Sequence, residues 1–282
     1  TDFYKIRDIR LFMVEIIAKY KIGTRRFGLI NWVGAWTLYK KEVLRFLAVW
    51  IQTIFSPIIT SLLFLSVLSL AIGSSRGDAL GVPFISFLAP GLIAMQVIQQ
   101  AFSHSASSFM IKKIDGSIVD ILYAPLSASE VTAAIILSAT TRSVTIAIIS
   151  IITFFFIVDL KITNFFTLFA YTFLSSFILG AIGMIAGLWA EKFDHMATIT
   201  NFVIIPLSFL SGTFYTIDKL PWYLQIASKL NPFFYMIDGF RFSFIGVADS
   251  SIFYGLIYLT LLSIIFWVTA YLLFKIGYKI KS

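Results

Sequence analysis

Long apolar runs alternate with short polar interruptions along most of this chain. A helix needs about 20 apolar residues to cross a hydrocarbon core ~30 Å thick. Six runs reach that length, at about 48–73, 84–110, 131–158, 165–190, 196–214 and 251–274. The second is expected to break near its start at Ala89-Pro90-Gly91, and the fifth to kink at Pro206. The pattern predicts an all-α, polytopic membrane protein.

The interruptions carry patterns of their own. The longest runs from Lys112 to Glu130 and reads KKIDGSIVDILYAPLSASE. Ile111, Ile114, Ile118 and Leu122 recur every three to four positions, as on one face of a helix, while Lys112, Lys113, Asp115, Ser117 and Asp120 fall elsewhere on its circumference. Ala124-Pro125 ends that helix, because proline lacks an N–H and restricts the residue before it. Ser127-x-x-Glu130 then spells a capping box at the start of the third run. Two uses are open for this short amphipathic helix: a connector on the membrane surface, or a docking element for a cytosolic partner. Residues 28–47 place Trp32, Trp36, Tyr39, Val43 and Leu47 at helical spacing, with Lys40, Lys41, Glu42 and Arg45 beside them. That arrangement predicts a helix in the interface plane, serving as an anchor or as an active element. The segment Tyr215–Ala248 is punctuated by Pro221, Asn231-Pro232, Asp238-Gly239 and Arg241, yet rich in Trp, Tyr and Phe. It predicts short helices that dip into the outer interface without crossing.

Composition fixes the solvent. The chain is 59% hydrophobic and 13% charged, with a mean hydropathy of +0.92, whereas soluble domains carry roughly 25% charged residues. That apolar excess belongs in a bilayer. The net charge of +8 comes from residues that flank the apolar runs, a pattern of orientation and anionic-lipid contact rather than of a nucleic-acid groove. Of the 22 Lys and Arg, 16 fall on the side that holds residues 112–130 and both termini, five fall on the other, and Arg142 lies inside the third run. Both termini and the 112–130 stretch are therefore expected in the cytoplasm. Residues 1–27 are basic and mildly amphipathic and read as a cytoplasmic extension, with no uninterrupted apolar core of a signal peptide. The absence of cysteine excludes disulfides and thiolate chemistry. No GxxxxGK[ST] loop occurs, so the chain does not hydrolyse ATP by that route on its own.

Several polar residues sit within the apolar runs. Gln96, Gln100, Ser103 and Ser107 form a stripe on the second, with Gln99 and His104 beside it; Thr198, Asn201, Ser208 and Ser211 form a milder one on the fifth. Such residues turn away from lipid, either to hydrogen-bond between helices or to line a translocation path. Arg142 has no acid in its own run, so it either marks a functional position or snorkels toward the cytoplasmic end. Ser176-x-x-x-Gly180 and Gly183-x-x-x-Gly187 offer small faces for close helix packing. His104 and His195 lack a third ligand nearby, so no metal site is expected.

Several stretches together resemble the membrane subunits of ABC exporters of the type-2 permease family, most nearly its YadH-like permeases. They are TLYKKEVLRF, LAPGLIAMQVIQQAF, GSIVDILYAPLSASEV, EKFDHMATITNFVIIPLSFLSGTFYTIDKLP and LNPFFYMIDGFRFSFIG. The likeness covers about residues 28–275. It implies a non-catalytic half-transporter in the inner (plasma) membrane, working as a homodimer with two copies of a cytosolic ABC ATPase. ATP and Mg would be held by that partner, with no cofactor in this chain. The resemblance places the coupling contact at Ile114, Asp115, Gly116, Ile118 and Asp120. It puts the path at Gln96, Gln100, Ser103, Ser107, Asn201 and Ser208, and the outer gate at Asn231, Pro232 and Phe233. The cargo class expected is amphipathic: a drug, a lipid or a lipid-linked molecule, with lipid-linked polysaccharide as the alternative. A secondary transporter is disfavoured, since no acid lies inside any run and the two halves show no repeat. A membrane enzyme is disfavoured by two isolated histidines and the lack of clustered carboxylates.

Overall fold

The computed structural model describes residues 30–72 and 79–280, so the extension expected at 1–27 lies outside the described residues. Those residues are helical throughout, with one isolated bridge, Ala79 to Val82, and no strand. Among the described residues, six helical segments are long and apolar enough to cross a membrane.

Asn31 starts α1 (Trp32–Ala48) by accepting the Gly34 N–H on its side-chain oxygen, 2.9 Å away. Trp32, Val33 and Trp36 are exposed on one side of α1, and Leu38, Glu42 and Phe46 are buried on the other. The chain then turns into the first span, a π turn (Ile51–Phe55) followed by α2 (Ser56–Ile72). The Thr53 hydroxyl, bonded to the carbonyl oxygens of Phe46 (2.8 Å) and Val49 (3.0 Å), holds that turn.

The second span is α3 (Phe84–Ile114), 31 residues long and continuous through Pro90, so the break expected there does not occur. Proline removes only the bond to Ser86, and buried neighbours on either side keep the backbone helical. The short helix expected over Ile111–Leu122 is instead two pieces. Ile111 and Ile114 end α3; Gly116 interrupts it with φ +76°; α4 (Ile118–Tyr123) follows. A left-handed residue cannot continue a right-handed helix, and glycine takes that conformation without steric cost. The four isoleucine and leucine positions therefore do not share a face: Ile118 is buried, whereas Ile111, Ile114 and Leu122 are exposed.

The third span, α5 (Ala128–Phe155), opens on the Ser127–Glu130 capping box, formed in both directions. The fourth, α6 (Phe165–Trp189), lays Gly183 against the Phe102 backbone and Gly187 against Ala106 of α3, where any Cβ would overlap. The small face read from the sequence is thus the contact between α6 and α3, the most buried span. The fifth span comprises α7 (Phe193–Ile199), a π turn (Thr200–Ile204) and α8 (Ile205–Leu210). Both π turns end two residues before a proline, Pro57 and Pro206. The wider turn gives a site where the missing donor leaves no regular bond unmade. After the fifth span come α9 (Trp222–Leu230) and α10 (Pro232–Ile245), both too short to cross, and then the sixth span, α11 (Ile252–Lys275).

Burial ranks the spans. In its most apolar window α3 is 78% buried, α5 and α6 are each 56%, the first span is 28%, α11 is 17% and the fifth span 11%. One core joins α3, α6 and α10 through Phe87, Phe102, Leu179, Phe234, Ile237 and Phe240; a second lies at the Lys112 end, around Leu38, Phe109, Ile121, Ile135 and Met184.

Candidate functional site

At the Lys112 end, α1, α3 and α5 are joined by buried charge. Glu42, fully buried on α1, accepts from the Lys112 ammonium and from Ser108 Oγ at 2.8 Å, both on α3, and from Arg45 Nε at 2.9 Å. Burial by itself raises this carboxyl, but the Lys112 ammonium and Arg45 guanidinium outweigh it and hold the pKa down to about 2. Glu42 is therefore an anion at any physiological pH. Arg45 Nη2 also donates to the His104 carbonyl at 3.2 Å, and His104 Nε2 lies 3.0 Å from Ser138 Oγ of α5.

Glu130 makes a second tie. One carboxylate oxygen accepts the Ser127 N–H at 2.6 Å, closing the capping box, and the other accepts the Asn31 N–H at 2.6 Å. Asn31 Nδ2 in turn donates to the Pro125 carbonyl at 3.1 Å. The first turns of α1 and α5 thus share one buried acid. Lys113 reaches the Leu188 and Ala190 carbonyls at 2.8 and 2.7 Å, placing a cation on the C-terminus of α6.

The link α3–α4 lies on this braced surface. Asp115 Oδ1 accepts the Ser117 N–H (2.9 Å) and hydroxyl (2.7 Å), bonds that hold its carboxyl below the usual range. Ile118 and Ile121 anchor α4 to the bundle, while Val119, Asp120, Leu122 and Tyr123 are exposed, Tyr123 at 87%.

A cleft of about 760 Å³ opens between the end of α1, the first span, α3 and α5. Gln96, Gln100, Ser103 and Ser107 all line it, joined by Gln99, Gln52, Arg45 and Arg142. Arg142 donates through Nη2 to Gln100 Oε1, so the side chain is engaged across the α3–α5 contact. Asn201 and Ser208 are not in this lining: Asn201 is exposed on the fifth span, and buried Ser208 bonds to the Ile204 carbonyl at 2.7 Å.

At the opposite end, Asn231 caps α10 through the Phe233 N–H (3.1 Å), and its amide nitrogen donates to the Leu207 carbonyl (3.0 Å) and Ser211 Oγ (2.8 Å). Buried Arg241 donates to the Gly212 carbonyl at 2.7 Å and lies 3.9 Å over the Phe87 ring. It is an internal brace between α10, the end of the fifth span and α3. Among the described residues, no group of His, Asp and Glu is placed to hold a metal.

The family model for ABC-2 type transporters matches residues 34–245, which takes in α1, the cleft, α4 and α10. The chain belongs to this family. It is 33% identical over 220 residues to the inner membrane transport permease YadH of Escherichia coli K12, covering 78% of this chain and 86% of that protein. Identity to nodulation protein J is 23% over 220 residues for Rhizobium leguminosarum bv. trifolii, covering 76% and 81% of the two chains. For the Neorhizobium galegae protein it is 23% over 225 residues, covering 78% and 83%. The fold of this ABC-2 transporter brings one stripe, Gln96 to Ser107, together with Arg142, and leaves the fifth-span stripe apart. Sequence reasoning missed Glu42 as a buried ion. Its signal was present: an acid placed four residues before Phe46 and after Leu38 shares their inward face.

Proposed function

We propose that the chain is the membrane half of an ATP-driven exporter, paired with a second copy, each copy holding one cytosolic ATPase subunit. The observation that carries this reading is α4, with its two buried isoleucines inward and Val119, Leu122 and Tyr123 uncovered. Exposed rings and aliphatics at the tip of a braced element suit a protein partner. Behind α4, the Glu42–Lys112 and Glu130–Asn31 ties stiffen the plate. A push on α4 then passes into α3, the most buried span, rather than being absorbed locally. In this reading the Lys112 end and both termini face the cytosol of a cell whose inner membrane holds the protein, consistent with the positive-charge asymmetry. The scarcely buried first, fifth and sixth spans leave apolar surface for lipid and for the second copy, and Asn201 belongs to that surface. Cargo of amphipathic character, a drug, lipid or lipid-linked molecule, passes the polar cleft, and Asn231, Pro232 and Phe233 close the outer end. ATP and Mg stay with the ATPase.

The test is co-purification followed by coupled assay. The wild-type chain is expected to bring down an ATPase subunit whose turnover rises on assembly. Asp120→Lys, and Gly116→Val, which forces a β-branched residue into φ +76°, leave membrane insertion intact and remove that rise. Unchanged coupling in both variants rejects α4 as the contact.

A further inference from the structure

We infer that the cleft between the first three spans is a binding site for a phosphate-bearing headgroup, with Arg142 as its principal donor. This inference rests on the transport reading and narrows its cargo. Arg142 is only 8% exposed and stands 14 residues after Ala128, so it lies about 21 Å along α5. At that depth a cation ordinarily has an acid beside it. Here the guanidinium bonds only to the neutral oxygen of Gln100. The ion pairs among the described residues all lie elsewhere, on Glu42, Asp159 and Glu191.

The donors left over point to the missing partner. Arg142 Nε and Gln99 Nε2 make no hydrogen bond and are sealed from the cleft that both residues line, so a ligand engages them only as these side chains turn toward it. Arg45 adds a second guanidinium to the same wall. A guanidinium that carries a full charge and bonds to one neutral oxygen is completed by an anion, and the Gln and Ser side chains that share its lining are all neutral. A phosphate offers several oxygens in the geometry that guanidinium forks match. Phe46, Val49 and Ile111 continue the lining with apolar surface, so an acyl or isoprenoid stem has somewhere to lie beside the charged head. The ligand class is therefore an amphiphile carrying a phosphate; a free phosphate shares the head chemistry and lacks the stem.

The experiment uses the full chain in neutral detergent, without ATPase or ATP, so its outcome is independent of whether α4 docks a partner. Calorimetric titrations compare dioctanoyl phosphatidic acid, dioctanoylglycerol and inorganic phosphate. Phosphatidic acid is expected to bind at least about tenfold more tightly than dioctanoylglycerol. Arg142→Gln removes about tenfold or more of that affinity, and Arg142→Lys, which keeps the charge but loses the fork, removes less. Gln100→Glu supplies the guanidinium with an internal carboxylate. It is expected to abolish binding while leaving the unfolding temperature unchanged or higher, a pair of signs that misfolding does not produce. Inorganic phosphate that competes with the same Arg142 dependence upholds the anion site and assigns it to a free anion; failure to compete upholds the amphiphile. Wild-type affinity for phosphatidic acid in both Arg142→Gln and Gln100→Glu overturns the site, as does equal binding of dioctanoylglycerol.

Discussion

The two ends of the helix bundle solve the same problem in opposite ways. Each must satisfy helix termini and turns at the edge of an apolar slab. At the Lys112 end, charged side chains cross from one helix to another: Glu42 to Lys112, Glu130 to Asn31, Lys113 to the tail of α6. At the Asn231 end, the main chain is served mostly by neutral or single-ion contacts, and the fit is steric. Tyr171 of α6 donates to the Ile252 carbonyl at 2.7 Å with its ring wedged against Gly239 of α10, while its hydroxyl would meet a Cβ placed on Gly255 of α11. The first arrangement makes a plate that keeps its shape under load. The second makes a close-packed plug whose integrity depends on absent side chains. Under the function proposed above, one end transmits force and the other seals, and the contrast is the one those two tasks would require.

The largest effect expected is at the plate. Glu42→Gln leaves Lys112 buried with neutral acceptors and no countercharge, and removing one charge of a buried pair costs about 3–5 kcal/mol. Replacing both, as Glu42→Met with Lys112→Met, restores part of that stability, because the two apolar groups need no compensation while Ser108 and Arg45 still lose their acceptor. Unfolding of the purified protein in detergent measures both variants. Acid gives an independent check. The folded-state pKa of Glu42 is depressed to about 2 from 4.5, so its contribution is complete above pH 4.5 and is lost as the pH falls from there toward 2. A double variant as unstable as Glu42→Gln alone would mean that the ion pair is not what holds the plate.

A smaller loss is expected at the plug. Gly239→Ala puts a methyl group into the Tyr171 ring, so α10 must move off α6, at about 1–3 kcal/mol. In a Tyr171→Ala background the same alanine finds space, and its added cost should nearly vanish. Equal costs in the two backgrounds would show that the plug is held by something other than this contact, and the difference between the ends would blur.

How much of this was legible beforehand depends on the range of each interaction. The spans and the Ser127–Glu130 box are local: apolar length and a three-residue spacing carry them, and both are where the sequence predicts, with ends displaced by a few residues. The pairing of Gly183 and Gly187 with α3 was legible as a small face but not as to which helix it meets. Glu42 adjoins Lys40 and Lys41 in sequence, yet its partner is 70 residues away and only the packing of α1 on the bundle selects it. Gly116 falls within a helical period, since Ile111 to Leu122 fits 3.6 residues per turn; one left-handed residue undoes that period without altering the spacing. The second use of Glu130, on Asn31, was illegible for the reason Glu42's was: 99 residues separate the pair.

The smallest effect on stability is expected where the effect on function is greatest. Tyr123 is the ring of α4, exposed, and no hydrogen bond or ring contact joins it to the described residues. Tyr123→Asp therefore changes unfolding by no more than about 0.5 kcal/mol, the range of ordinary surface substitutions. If α4 is the handle by which the plate is moved, the same variant sharply reduces ATPase capture, because an aspartate must be desolvated where a ring had been packed. Trp222→Asp, at a largely exposed aromatic on α9 at the other end, leaves capture unchanged. The comparison then turns on one measurement, retention of the ATPase by the two aspartate variants side by side. Equal retention would remove the distinction between handle and plug, since it would mean that exposed rings at either end do no more than meet lipid headgroups.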